Sequence, residues 1–115
     1  MTETPPTPRT IWEADTTHPA EAEAIRTALR QVVDPELGLS IIELGLVRQV
    51  RIEPEQVHVR MILTTPFCPY GPALMEMTRT KAAEASGGRT VAMELAMEMW
   101  DKSMMEEGAA AAWGF

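Results

Sequence analysis

Thiols are almost absent from this chain: Cys68 is the single cysteine among 115 residues. One cysteine excludes an internal disulfide framework and any zinc site built from cysteines of one chain. It fits a reducing compartment. Long apolar runs are missing as well, so nothing matches the ~18 or more residues that a membrane helix needs. The first residues are polar and proline-rich, not basic and then apolar, so no secretory leader is read there. Basic charge is scarce: 10 Lys and Arg stand against 17 Asp and Glu, for a net charge of −7. No basic stripe exists, and aromatics are only 5 % of the chain. Phosphate contacts from Lys and Arg carry nucleic-acid affinity, so a nucleic-acid partner is not expected. The expectation is a cytoplasmic protein that needs neither a membrane nor DNA or RNA.

What is present suffices for one domain with a core of its own. Nine methionines fall mostly on periodic positions, which reads as an adaptable core and not as a metal-binding methionine box. The chain is organised around Leu63-Thr64-Thr65-Pro66-Phe67-Cys68-Pro69-Tyr70-Gly71-Pro72. This stretch lies where an alternating strand pattern ends and a helical pattern begins. Its prolines and glycine set a tight turn, and Pro72 suits the first position of a helix. Cys68 is thus expected just ahead of a helix N-terminus, where outward N–H groups and partial positive charge favour thiolate over thiol. A buried, inert cysteine is the competing reading, because cysteine is among the most buried residue types.

Residues 1–17, with Pro5, Pro6 and Pro8, read as a flexible arm, and 18–115 as the single domain. Ile11 and Trp12 are the large apolar groups of that arm and are expected to dock on the domain. Pro19 opens a helix with an apolar stripe at Ile25, Ala28, Leu29, Val32 and Val33, which must stop by Asp34 because Pro35 follows. Asp34-Pro35-Glu36-Leu37-Gly38 is a turn. There Asp34 has a capping role for backbone N–H groups as its plain reading. Leu46–Ile52 and Val57–Thr64 read as two strands of a hairpin linked by Glu53-Pro54-Glu55-Gln56. In the second, Val57, Val59, Met61 and Leu63 share one face, and His58, Arg60, Ile62 and Thr64 the other. His58 reads as a solvated surface side chain. Pro72–Ser86 is a helix leaning on Leu74, Met77 and Ala85, closed by Gly87-Gly88. Thr90–Met99 alternates without interruption, with Val91, Met93, Leu95, Met97 and Met99 on one side. Ser103-Met104-Met105-Glu106 matches a capping box that starts a last short helix. The predicted fold is α+β: a small two-layer sheet, a hairpin plus one further strand, covered by helices in the order α-β-β-α-β-α. The apolar end, Gly108 to Phe115, is either docked on its own domain or a dimer or partner contact.

Asp34-Pro35-Glu36, Ile42-Glu43-Leu44-Gly45-Leu46-Val47, Leu63-Thr64-Thr65 with Cys68-Pro69, and Trp100 before Met104 come in an order and spacing that resembles the iron–sulfur cluster assembly domain family. The similarity covers roughly residues 20–115. One departure is Met99, where the family usually has proline before the tryptophan. The branch that serves phenylacetate degradation carries an added cysteine-rich C-terminal metal site, which this chain lacks. The resemblance implies a compact α/β fold, often dimeric, a role in maturing metal–sulfur proteins, and Cys68 as the functional thiol. It also implies that Asp34, Glu36 and Thr64 or Thr65 are the supporting polar groups.

A stable cluster normally takes four protein thiolates. One chain supplies one, and a symmetric dimer would supply two. No cofactor is therefore expected to be stably bound. Iron or an iron–sulfur cluster would be held transiently at Cys68, with a partner's ligands completing the shell or across a dimer, or else the thiol orients a client without metal. Oxygen ligands suit such iron poorly, so Asp34 and Glu36 are read as hydrogen-bonding or partner-contact groups. The expected function is a non-enzymatic accessory factor for iron–sulfur cluster assembly or client maturation, homodimeric, with client or scaffold proteins as partners. Two alternatives stay open: a thiol enzyme with a covalent Cys68 intermediate, and a plain interaction module whose cysteine is incidental.

Overall fold

The computed structural model describes residues 10–35, 37–64, 69–106 and 109. Two helices lead: α1, Glu13–Thr17, and α2, Pro19–Leu29. A hairpin follows, β1 Val47–Ile52 and β2 Gln56–Met61, then α3, Gly71–Ala85, and β3, Thr90–Leu95. A short 3-10 turn, Lys102–Met104, closes the described part. The sheet order is β1-β2-β3, with β1 antiparallel and β3 parallel to β2. The helix α3 is the crossover that a parallel pair requires. This is the α+β architecture predicted, a hairpin plus one strand covered by helices.

Strand alternation places the core. Val50, Ile52, Val57, Val59 and Met61 turn inward, while Gln49, Arg51 and Arg60 stay outside. An irregularity between Val47 and Gln49 shifts the β1–β2 register by one residue, so that Arg48 has no opposite number on β2. Helix α2 starts at Pro19, whose fixed φ suits a first turn. It buries Ala22, Ile25 and Leu29. It ends at Leu29, well before Asp34, and the chain then bends so that Val32 is buried and Val33 is 44 % exposed. Val33 pairs with Ser40, closing the turn between them.

Trp12 and Ile11, both expected to dock, part company. Trp12 is buried and donates its indole N–H to the Val47 carbonyl at 3.1 Å, whereas Ile11 is 69 % exposed. Arg26 stacks on the Trp12 ring at 4.0 Å and grips Asp15 with two hydrogen bonds of 2.9 Å. Residues 12–17, within the stretch read as an arm, are therefore tied to α2 and β1.

Four local expectations are corrected. The second strand stops at Met61, and Ile62, placed on the polar face, is completely buried. Helix α3 packs Leu74, Thr78 and Ala82 inward and leaves Met77 45 % exposed, because Gly71, Leu74, Thr78 and Ala82 recur every three to four residues on one face and Met77 falls beside it. The third strand ends at Leu95, since β2 offers no partner beyond Met61. The last helix is only a 3-10 turn, capped by Asp101, whose carboxylate accepts from Ser103 N at 2.9 Å. The Ser103–Glu106 capping box does not form, because the Glu106 carboxylate is held by Arg30 through two bonds of 2.7 Å.

Candidate functional site

Of the residues singled out from sequence, Cys68, Glu36 and Thr65 lie outside the described residues. Asp34 and Thr64 are described, as are both flanks of the cysteine stretch. Asp34 is only 2 % exposed. Its carboxylate accepts from Leu37 N at 3.3 Å and its carbonyl from Gly38 N at 2.8 Å, while its own N–H donates to the Leu39 carbonyl at 2.9 Å. This is the capping role read for it from the turn sequence. Gly38 closes that turn at φ +71°, a conformation that side chains disfavour.

The exit of β2 and the entry of α3 converge. Any Cβ placed on Gly71 would stand 2.9 Å from a Leu63 methyl. Gly71 is buried, so a larger residue there would have to push the Leu63 side chain aside where the strand exit and the helix mouth touch. The residues between them, Cys68 included, connect two ends that are already in contact. Helix α3 opens with no side-chain cap and no acidic residue in its first turn. Its N-terminal N–H groups and dipole are therefore not offset by carboxylates of its own first turn. Thr64 is half-buried at the rim of a groove of about 310 Å³, shared with Leu63, Leu95, Met97, Met99 and Trp100. The groove is largely apolar, and Met97 is 89 % and Met99 77 % exposed.

The wall behind this groove is pinned from afar. Trp100 donates its indole N–H to the Leu44 carbonyl at 2.7 Å, and Glu106 N donates to the Glu43 carbonyl at 3.0 Å. Ser40 and Glu43 cap one another, each backbone N–H bonded to the other's side chain at 3.0 Å. Sequence reasoning missed this second Ser-x-x-Glu, although its signature stood in the chain. It also missed the Arg30–Glu106 pair, separated by 76 positions, for which the sequence holds no local signal. Hydrogen bonding to Glu106 raises the Arg30 pKa, against the opposing effect of burial.

The two histidines are engaged elsewhere: His18 with the Thr17 hydroxyl at 2.9 Å, and His58 with Gln56 at 3.0 Å. Among the described residues no group of three His, Cys, Asp or Glu side chains is arranged to hold a metal. None of their helices is long and apolar enough to cross a membrane.

Comparison with known proteins bears on this arrangement. The model of a family described as "Iron-sulfur cluster assembly protein" matches residues 22–95. A protein of Porphyromonas gingivalis named Fe-S protein maturation auxiliary factor is 37 % identical over 95 residues, 81 % of this chain and 90 % of that one. A Staphylococcus aureus protein, also named as an Fe-S protein maturation auxiliary factor, is 38 % identical over 72 % of this chain and 97 % of its own length. An iron-sulfur cluster carrier protein of Mycobacterium bovis is 40 % identical over 73 residues, only 19 % of its length. Among solved structures, a domain of unknown function from Bacillus anthracis superposes with a TM-score of 0.77 at 23 % identity, over 87 % of this chain and 97 % of that one. That likeness speaks for the fold alone. A conserved hypothetical protein of Thermotoga maritima gives 0.69 at 26 % identity, over 95 % of this chain and all of that one.

Proposed function

We propose, from the premise that the chain belongs to the iron–sulfur cluster assembly protein family, that it is a non-enzymatic accessory factor in the maturation of iron–sulfur proteins, with Cys68 as its working thiol. The observation that supports the role of Cys68 is the approach of Gly71 to Leu63, which sets the strand exit and the helix mouth on either side of the cysteine stretch beside each other. A thiol held there is favoured as thiolate, the form that binds iron or exchanges with a client's sulfur ligands. Iron or a cluster is cargo in this reading, passed on and not retained. The donor chemistry agrees: one thiolate per chain falls short of the set that a resident cluster takes. A homodimer, with two such thiols, belongs to the reading, as do protein clients and a cytoplasmic setting. Asp34 supports by holding the 34–38 turn and not as a ligand, since it is already engaged with backbone N–H groups. The thiol-enzyme alternative requires a base beside Cys68, and His18 and His58 are both occupied with other partners.

The test is Cys68→Ala in a strain that depends on this protein. The variant is expected to fold with unchanged circular dichroism and melting temperature, while the activity of iron–sulfur client enzymes falls several-fold. Full client activity with the variant would contradict the role of the thiol.

A further inference from the structure

Three anchors hold residues 96–100 across the end of the sheet. Ala96 N donates to the Met61 carbonyl at 2.8 Å, where β2 ends. The Glu98 carboxylate stands 3.4 Å from Arg48 Nε, at the start of β1. Trp100 reaches past β1 to the Leu44 carbonyl. The anchors fall on every second residue, which leaves Met97 and Met99 turned away from the body. The alternation through Met99 is thereby explained on one side only. Ala96, Glu98 and Trp100 fix the segment, and the fold makes no use of the two exposed thioethers between them. With Leu95, also exposed, they line the groove that Leu63 and Thr64 share. Exposed apolar side chains scattered singly are ordinary. Several gathered in one groove mark a contact surface. Among the described residues, no backbone hydrogen bond engages the N–H or carbonyl of Met97, Glu98 or Met99. The groove also touches Thr64, the last described residue before the cysteine stretch.

We propose that this groove takes an extended, apolar and basic segment of a client polypeptide, laid along residues 97–99. The proposal deepens the maturation-factor reading above and rests on it for the source of the segment. Unpaired N–H and C=O groups of 97–99 offer the main chain of such a segment its hydrogen bonds, while the groove takes its alternate side chains. At about 310 Å³ the groove is at the small end of ligand sites, ~300–1,000 Å³, which suits side chains of a docked segment better than a cofactor. Methionine is unbranched and polarizable, so Met97 and Met99 can fit segments of unlike shape. The charge of the segment follows from the surroundings. The lining holds one carboxylate, Glu98, and no Lys or Arg, and the chain as a whole carries −7. Arg48 already shares Glu98, so this charge steers a basic segment to the groove more than it anchors it there. The same field repels an anionic lipid surface.

The test titrates the whole chain, its methionine methyls isotope-labelled for NMR, with a synthetic peptide of four Lys-Leu repeats. The Met97 and Met99 resonances are expected to move and that of Met77, on α3, to stay. Peptides of four Glu-Leu or four Lys-Ser repeats are expected to bind at least about tenfold more weakly, the first lacking the charge and the second the apolar side chains. Met97→Lys is expected to weaken the Lys-Leu peptide at least about tenfold, whereas Met77→Lys, the same change of charge at another exposed methionine, stays within about twofold. In a strain that depends on this protein, Met97→Lys is expected to lower client-enzyme activity several-fold with the rate of Cys68 alkylation unchanged. Equal binding of the three peptides, or equal weakening by the two variants, overturns the groove. So do Met97 and Met99 shifts produced by protein concentration alone, which would make a second copy the occupant. Overhauser contacts from Trp113 or Phe115 to these methyls in the free protein overturn it as well, in favour of the chain's own end. Full client activity with Met97→Lys overturns the groove and leaves the thiol to Cys68→Ala. Lost activity with Met97→Lys beside full activity with Cys68→Ala supports the groove and overturns the thiol.

Discussion

At the scale of single residues, Gly45 carries the most exacting demand. It sits at φ +74°, and a Cβ there would stand 2.1 Å from the Met104 carbonyl oxygen. Two faults would coincide on substitution: a left-handed backbone, at about 1–3 kcal/mol, and a clash with main chain that cannot rotate away. Gly45→Ala is expected to lower stability by more than about 2 kcal/mol, read as a fall in urea midpoint at unchanged slope. An unchanged midpoint would mean that the 100–106 segment does not pack on this turn. Asp15 offers a test by pH. Burial works to raise its pKa, but the hydrogen bonds from Arg26 and Trp12 N and the Arg26 charge prevail, and its pKa lies below 3.8. A depressed carboxylate stabilises above its unfolded pKa and loses that contribution as pH falls through the folded value. The tie between α1 and α2 is therefore expected to hold at neutral pH and to loosen below about pH 4. The Trp12 indole N–H resonance follows it, and Asp15→Asn should remove the transition.

Elements show which rules could be read without coordinates. The hairpin was legible because Val57, Val59 and Met61 alternate with His58 and Arg60 on a strand covered on one face, and period two then maps onto burial. α2 was legible from Pro19 and the spacing of Ile25 and Leu29. The same rules misplaced β3 and the last helix. Alternation through Met99 is a property of side chains, whereas a strand also needs a partner, and β2 ends at Met61. Ser-x-x-Glu occurs at Ser40–Glu43 and at Ser103–Glu106. It caps the first, but in the second Arg30 takes the glutamate. Nothing local distinguishes the two. Arg30→Ala would strand the Glu106 carboxylate, whose side chain is 2 % exposed. Breaking a buried pair costs ~3–5 kcal/mol. With the Arg30 side chain 32 % exposed, solvent screens part of the pair, and about 2 kcal/mol is expected in thermal or urea unfolding. A loss near zero would show that the pair does not anchor the closing segment.

For the molecule as a whole, the candidate site was legible as a place more than as a set of contacts. The proline- and glycine-rich stretch located the strand-to-helix passage, and Gly71 against Leu63 gives that passage its physical reason. The turn role of Asp34 was also readable, because an aspartate before proline in a tight turn tends to bond the backbone just after it. What stayed hidden was the bracing of Trp100 on Leu44 and Glu106 on Glu43, which depends on residues more than 50 positions apart and appears only once the chain is folded. The whole then reads as a small α+β body in which the strand exit and helix mouth flanking the cysteine stretch meet near an apolar groove.

The account stands or falls with the accessibility of the Cys68 sulfur, and alkylation by iodoacetamide across pH measures it most directly. Native protein is expected to react at a rate within about tenfold of the urea-unfolded chain, with a midpoint below the ~8.5 of a free thiol. Alkylation that proceeds only on unfolding would contradict it.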